Sequence, residues 1–367
     1  MKKKLLAIDG NSVLNRAFYG VRPLSTKDGF PTNALFGFVN MITRQAEALS
    51  PDYVAVAFDL KAPTFRHKMY DAYKAGRRPM PEELALQFPV AKELLSAMGY
   101  HVLSLEGYEA DDLLGTLAAM ATREDVDAYL LTGDRDALQL ISKNVHVLLA
   151  TNTETVDMDE AKFFEKYGVP SSVFVDVKAL MGDSSDNIPG VPGIGEKTAL
   201  KLIAEYGSLD GVYEALPTAK HTPSVRAKLE SGKESAYLSQ SLARICCEAP
   251  LEATLTAFAD RGMERAALRA LFLRLEFSAF IKRFGLDAEA DAPAAREVET
   301  EHVSVDGLRA VLADAKTVAL DGENGQWSLL VGDKVYKTEM SAAALCELLA
   351  PVTVAVYDAT RTFCKIA

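Results

Sequence analysis

Nine acidic residues fall in short clusters along the first half of the chain: Asp9, Asp59, Glu109, Asp111, Asp112, Asp134, Asp136, Asp183 and Asp186. Gathered in one cleft, so many carboxylates repel one another unless divalent cations stand between them. A donor set made only of oxygen selects a hard ion, Mg²⁺ or Mn²⁺, over zinc. Two such ions roughly 4 Å apart activate a water and stabilise the leaving oxygen in phosphodiester hydrolysis. Rival metal chemistries fit less well. Asp134-Arg135-Asp136 opens like a calcium-binding EF-hand loop, but Gln139 stands where that loop needs a glycine. The five histidines include no pair at the helical spacing of zinc ligands. An acid at a helix start is often a cap or dipole partner. Glu109 alone fits that role equally well; the whole set does not.

Two further segments carry binding chemistry. Asn187-Ile-Pro-Gly-Val-Pro-Gly-Ile-Gly-Glu-Lys-Thr-Ala199 packs two prolines and three glycines into a tight turn. A helix over Thr198 to Tyr206 is predicted to follow. Gly190, Gly193 and Gly195 allow close approach, the N–H groups at the helix start can grip a phosphate, and Lys197 and Thr198 add a charge and a hydroxyl. This is the pattern of a helix-hairpin-helix, which holds nucleic-acid backbone without reading bases. Between Lys61 and Pro81, Arg66, Lys68, Lys74, Arg77 and Arg78 interleave with Phe65, Tyr70 and Tyr73. Bases alternating with aromatics suit a single strand, although a charge run is more often a solvated face.

The elements that position these groups alternate strand and helix. Leu5–Asp9, Tyr53–Phe58, His101–Leu105 and Ala128–Thr132 read as strands, with helices over Asn33–Leu49, Pro89–Met98 and Ala110–Thr122. Such alternation predicts an α/β fold, a mostly parallel central sheet with helices on both faces. Asp9, Asp59 and Asp134 each follow a strand and so share the rim where open parallel sheets bind ligands. Two acids in Gly182–Asp186 share a face if that turn is helical. From Asp159 to Phe284 the pattern becomes helical. An Ala/Pro/acid-rich linker follows at 287–302, and then a small α/β segment at 303–367 with a helix over Val303–Leu312, strands at Thr317–Leu320 and Trp327–Val331, a helix over Ser341–Leu349 and a strand at Val352–Tyr357.

Several strings in order, among them Gly107-Tyr-Glu-Ala-Asp-Asp112, Thr132-Gly-Asp-Arg-Asp136 and Met181-Gly-Asp-Ser-Ser-Asp-Asn-Ile-Pro-Gly-Val191, resemble the 5′-nuclease domain of bacterial DNA polymerases I from Met1 to about Leu286. The resemblance implies a PIN/FEN-like nuclease domain at 1–170, with a helical arch near 61–81, and a helix-hairpin-helix subdomain at 171–286. It implies a flap endonuclease and 5′→3′ exonuclease acting on 5′-flaps, nicked duplexes and RNA primer–DNA junctions in replication and repair. One ion would then be held by Asp9, Asp59, Glu109, Asp111 and Asp112, and the second by Asp134, Asp136, Asp183 and Asp186. Lys74, Arg77 and Arg16 match basic positions at the scissile phosphate, with Tyr73 beside them, and the hairpin would take a K⁺ ion. Residues 303–367 more weakly resemble the start of a ribonuclease H-like 3′→5′ exonuclease domain. Asp321-Gly-Glu323 has the form of its first metal motif, but the surroundings of Asp358 do not supply the second, so an inactive, truncated domain is expected, with a polymerase in cis if the natural chain is longer.

A net charge of −11 does not exclude a nucleic-acid partner when acids and bases are segregated. No apolar run is long enough to span a bilayer, and Asp9 breaks the first apolar stretch before a signal-peptide core forms; a cytoplasmic, nucleoid-associated monomer is expected. Cys246, Cys247, Cys346 and Cys364 form no Cys-x-x-Cys pair and read as reduced and buried. A non-catalytic DNA-binding module would leave gaps in the acid set, and there are none. A PIN-type ribonuclease shares the rim acids but lacks the hairpin.

Overall fold

β1 (Lys4–Asp9) pairs in parallel with a strand on each side, so both its faces must be apolar. Leu5 and Ala7 enter one core, and Leu6 and Ile8 the other. With β2 (Tyr53–Ala57), β3 (His101–Leu103), β4 (Asp127–Thr132), β5 (Val145–Ala150) and β6 (Thr155–Met158) it forms a sheet in the order β3-β2-β1-β4-β5-β6, in which only β6 runs antiparallel. The last two strands were not expected from the sequence.

This computed structural model describes residues 2–77, 79–151, 154–218, 222–287, 299–313, 315, 317–323, 325–332, 334–350 and 352–356. The chain divides into two compact units, Met1–Asp287 and Ala288–Ala367. In the first, α1 (Gly10–Gly20) and α2 (Asn33–Leu49) pack on one sheet face. The short α3 (Phe65–Met69) and α4 (Glu82–Ala85) precede α5 (Gln87–Ala97), which joins that face with Leu94 and Leu95. Pro89 sits in the first turn of α5, where its missing N–H costs nothing. α6 (Ala110–Arg123) covers the other face through Leu113, Leu114 and Leu117.

Beside α6 lies a helical half: α7 (Glu160–Tyr167), α8 (Phe174–Met181), α9 (Glu196–Tyr206), α10 (Leu209–Ala215), α11 (Pro223–Ser231) and α12 (Lys233–Ala243). α13 (Arg265–Arg274) and α14 (Ser278–Arg283) return to the α2 face with Phe272 and Phe280. Residues 61–81 are not a continuous helical arch: α3 ends at Tyr70, turns follow, and Lys74 has a φ of 58°, which no helix tolerates.

The second unit holds β7 (Glu299–His302), α15 (Val305–Leu312), β8 (Thr317–Glu323), β9 (Gln326–Val331), β10 (Lys334–Glu339), α16 (Ala342–Leu349) and β11 (Thr353–Val356). Its sheet order is β11-β8-β9-β10-β7, around a core of Leu308, Leu320, Trp327, Leu329 and Leu345. Residues 299–302, expected to be linker, instead pair with β10. Asp358 and Cys364 lie outside the described residues. Cys346 is exposed and Cys246 and Cys247 are half-buried, so these three are free thiols but not core residues as expected.

Candidate active site

Sequential strands lie on opposite sides of β1, which opens a crevice at the carboxyl ends of β1 and β4. Asp9 ends β1, and Gly133-Asp134 follow Thr132 at the end of β4. Asp9 caps α1, accepting from Ser12 N at 2.9 Å, and Thr132 Oγ1 donates to its other oxygen at 3.0 Å. Gly133 N donates to Ser12 Oγ (2.9 Å), and Arg16 Nη2 donates to Gly133 O (3.1 Å), fastening α1 to the end of β4. Gly10 is required here, because a Cβ would fall 2.4 Å from the Phe58 ring. Asp59 accepts from Ala110 N at 2.7 Å, which ties the end of β2 to the start of α6. The result is a cleft of about 860 Å³ lined by Asp9, Asp59, Asp111, Asp134, Asp183 and Asp186, with Arg16, Lys74, Arg77 and Lys178.

The strand-end acids are poorly compensated. Burial pushes the Asp9 carboxyl up to about 7, aided by Asp59 and Asp134 and opposed by its bonds to Ser12 and Thr132. Asp111 is held well above the usual carboxylate range by burial and by Asp134, Asp9 and Glu109. Among the described residues it accepts no hydrogen bond. Burial also raises Asp59. No three Asp, Glu, His or Cys side chains among the described residues stand together as a formed ion cage; the carboxylates ring the cleft instead.

Positive side chains occupy the other wall. Lys74 Nζ lies 2.8 Å from Glu109 Oε1 and 3.7 Å from Asp186 Oδ2, and its backbone N–H donates to Asp186 O at 2.9 Å. A non-glycine residue in the left-handed region stores strain that this network holds in place. Arg77 pairs with Asp186. Lys178 bridges Asp136 (2.6 Å) and Asp183 (2.7 Å). Burial nevertheless lifts Asp136 to about 6, whereas Asp183, also pushed up by burial, is drawn down to about 2 by its bonds from Lys178 and Ser185.

The hairpin after the cleft is built on a close backbone crossing. A Cβ on Gly190, whose φ is +60°, would lie 2.3 Å from Gly182 N. Ser239 Oγ accepts from Gly190 N (2.9 Å), and Lys228 Nζ donates to Gly193 O (3.0 Å). Gly195 is the N-cap of α9 and brings no side chain to its first N–H groups, which lie beside exposed Lys197 and half-buried Thr198.

Residues 4–168 match the family model of the 5′-3′ exonuclease N-terminal resolvase-like domain, and residues 169–266 that of the 5′-3′ exonuclease C-terminal SAM fold. The chain belongs to the 5′-3′ exonuclease family. It is 43% identical over 316 residues to a DNA polymerase I from Caldicellulosiruptor bescii, covering 82% of this chain and 37% of that protein. It thus spans about a third of the length of the curated relatives it matches. Its fold is similar to that of the T5 5′-exonuclease with bound zinc (TM-score 0.57, 22% identity, 75% of this chain and 99% of that one). It is also similar to the catalytic core of Rad2 in complex with DNA (TM-score 0.53, 16% identity, 78% and 91%).

Several residues stand elsewhere than the sequence suggested. Asp112 is fully buried, and Arg66 Nη1 and Nη2 both donate to it at 2.8 Å. It also accepts from Cys246 N and Glu109 N, which leaves it committed to the protein and turned away from the cleft. Arg66 is correspondingly buried and cannot meet DNA. Tyr73 is 4% exposed and its hydroxyl donates to Glu109 (3.1 Å) and Asp186 (3.3 Å), so it does not offer a stacking face. Gly190 is buried in the crossing with Gly182 and is not a phosphate contact. Asp183 and Asp186 sit in a tight loop closed by the Asp183–Ile188 bridge and not on one helical face, and they pair with different cations. Glu109 and Asp136 lie behind Lys74 and Lys178. Arg78 lies outside the described residues. Lys178 was missed. Its signal was a lysine among Val175, Val177, Ala179 and Leu180, two residues after Asp176 and five before Asp183.

Proposed function

We propose that this chain hydrolyses phosphodiester bonds near the 5′ ends of DNA strands, as a 5′→3′ exonuclease and flap endonuclease using two Mg²⁺ or Mn²⁺ ions. The observation that carries this reading is Asp111, a partly buried carboxylate flanked by Asp9 and Asp134 with no hydrogen-bond donor among the described residues. A carboxylate in that position is stable and ionised beside a hard cation. Asp9, Asp59, Asp111 and Asp134 are the residues to hold one ion. Asp183 and Asp186 supply the remaining donors, with Glu109 and Asp136 held behind Lys74 and Lys178. Bound cations supply a water ionised at neutral pH and a Lewis-acid contact to the phosphate.

The chain's own residues do the rest. The acidic rim repels a phosphate backbone, and Lys74 and Arg77 draw it in at one place, so that the phosphate is oriented as well as bound. Arg16, bonded to Gly133 O, presents positive charge on the α1 side. The hairpin at Gly193–Thr198 holds the duplex by its backbone, with the open N-terminus of α9 and Lys197 facing phosphate; a K⁺ ion would be held by the Gly190–Gly195 turn and would add positive charge toward the duplex. The T5 5′-exonuclease binds zinc and the Rad2 catalytic core is held in complex with DNA, which supports this reading. Flaps, nicked duplexes and primer junctions are the substrates in view, with a polymerase in cis as in the longer relatives. Residues 303–367 contribute no 3′→5′ exonuclease activity of their own.

The test is cleavage of a labelled 5′-flap duplex by the metal-stripped protein with and without Mg²⁺. Cleavage near the junction only with the ion is expected. Equal cleavage in excess chelator, or none in either condition, would remove the reading.

A further inference from the structure

The cleft face of α1 ends in a side chain that the carboxylate chemistry does not use. Asn11, Ser12, Asn15, Arg16 and Tyr19 recur at the spacing of one helix face, and all five line the cleft. The first four are hydrogen-bonding residues. The fifth is a tyrosine 71% exposed, more open than any other large apolar side chain among the described residues. Phe18 braces its ring in a T-shaped contact, with centroids 5.1 Å apart and planes at 86°. From a separate segment, Pro79, Met80 and Pro81 line the same cleft, and Met80 is 43% exposed.

An aromatic ring left open inside a phosphate-binding cleft, three residues from an arginine, has the makings of a stacking platform. Every base has a π-face, so stacking on a protein ring tolerates any sequence, as an enzyme that cuts by structure requires. It would also replace the role that Tyr73, being buried, cannot fill. Position along the strand follows from the helix. Tyr19 is ten residues beyond Asp9, the N-cap of α1, about 15 Å at ~1.5 Å per residue. That length corresponds to about four nucleotides stacked at ~3.4 Å, or roughly two when the strand is extended.

Resting on the nuclease reading above, we propose that Tyr19 stacks on an unpaired base of the cleaved strand, two to four nucleotides from the scissile phosphate, and so positions that strand for cutting. The occupant is a nucleobase, not a protein or a free nucleotide. Neutral ring stacking explains why the hydroxyl needs no partner, so phenylalanine should serve as well as tyrosine and leucine should not.

The experiment measures cleavage of a 5′-flap duplex with Mg²⁺ by wild type, Tyr19→Phe, Tyr19→Leu and Tyr19→Ala, on intact DNA and on DNA carrying one abasic site at each position in turn on both sides of the scissile phosphate. Tyr19→Ala is expected to lose about tenfold in kcat/KM on intact DNA, the worth of one stacked base, with Tyr19→Leu close behind and Tyr19→Phe within about twofold of wild type. At one abasic position wild type should fall by the same factor, while Tyr19→Ala should be indifferent to that lesion. Wild-type cleavage combined with an unchanged Tyr19→Ala, or equal abasic penalties in both proteins at every position, would overturn the stacking role alone. No cleavage by wild type would instead remove the nuclease reading, and the stacking role with it.

Discussion

The two walls of the cleft carry the same residue type in opposite electrostatic circumstances. On the strand-end wall, Asp9, Asp59 and Asp111 meet one another and Asp134, and their carboxyls are all pushed up. On the loop wall, Asp183 and Asp186 are met by Lys178, Arg77 and Lys74. The protein supplies its own counter-charge where the chain can fold back, through the left-handed Lys74 and the buried Lys178. At the strand ends the same cations act only from a distance, Lys74 and Arg77 on Asp59 and Lys74 on Asp111, and they do not outweigh burial. That asymmetry is what a cation-dependent site needs: a fixed half that holds its shape and a half that is unstable until an ion arrives.

Adjacent residues on α6 give the comparison its sharpest form. Asp111 is open to the cleft without a donor; Asp112 is buried under Arg66. Asp111→Asn should reduce cleavage of a 5′-flap duplex by more than about 100-fold, at least ~2.7 kcal/mol of barrier, while leaving the melting temperature unchanged or higher. Single-turnover rates and thermal melts on the same preparation check both halves. Asp112→Asn should do the reverse to stability: a buried Arg66 left with half its partner costs about 3–5 kcal/mol, read as a lowered denaturant midpoint. If the two variants behaved alike in both measurements, the division of α6 into an ion-facing and a structural side would be wrong.

A smaller effect separates the walls by pH. Asp9 has a folded value of about 7, above the ordinary 3.8. The protonated form is therefore favoured in the fold, and its contribution to stability is present at low pH and lost as pH rises through about 7. A divalent ion competes with that proton. The rise in melting temperature on adding Mg²⁺ should therefore be larger at pH 8 than at pH 5.5. A rise independent of pH would mean that the ion is not held by the strand-end acids.

Much of this was legible in the sequence because it depends on local rules. Strands ending in acids, parallel order and the Gly-rich hairpin follow from apolar runs and turn residues, and Asp9, Asp59 and Asp134 did land on one rim. What was hidden depends on pairing across long separations. Arg66 and Asp112 are 46 residues apart, and nothing local distinguishes a fully buried aspartate from its cleft-facing neighbour in Glu109-Ala-Asp-Asp112. Tyr73 reads as an exposed aromatic among bases until its hydroxyl finds Glu109 and Asp186. β5 escaped because Val145–Ala150, apolar but for His146, does not alternate regularly and fits a buried strand as well as a helix segment, and β6 is only four residues long, with Asp157 inside it.

The most direct measurement is a calorimetric titration of Mn²⁺ into the metal-free protein, compared between wild type, Asp111→Asn and Asp112→Asn. Wild type should bind the ion, Asp111→Asn should lose at least one bound ion or weaken it by more than tenfold, and folded Asp112→Asn should bind as wild type does. Unchanged Mn²⁺ binding in Asp111→Asn would contradict the claim that the uncompensated strand-end carboxylates are the cation site.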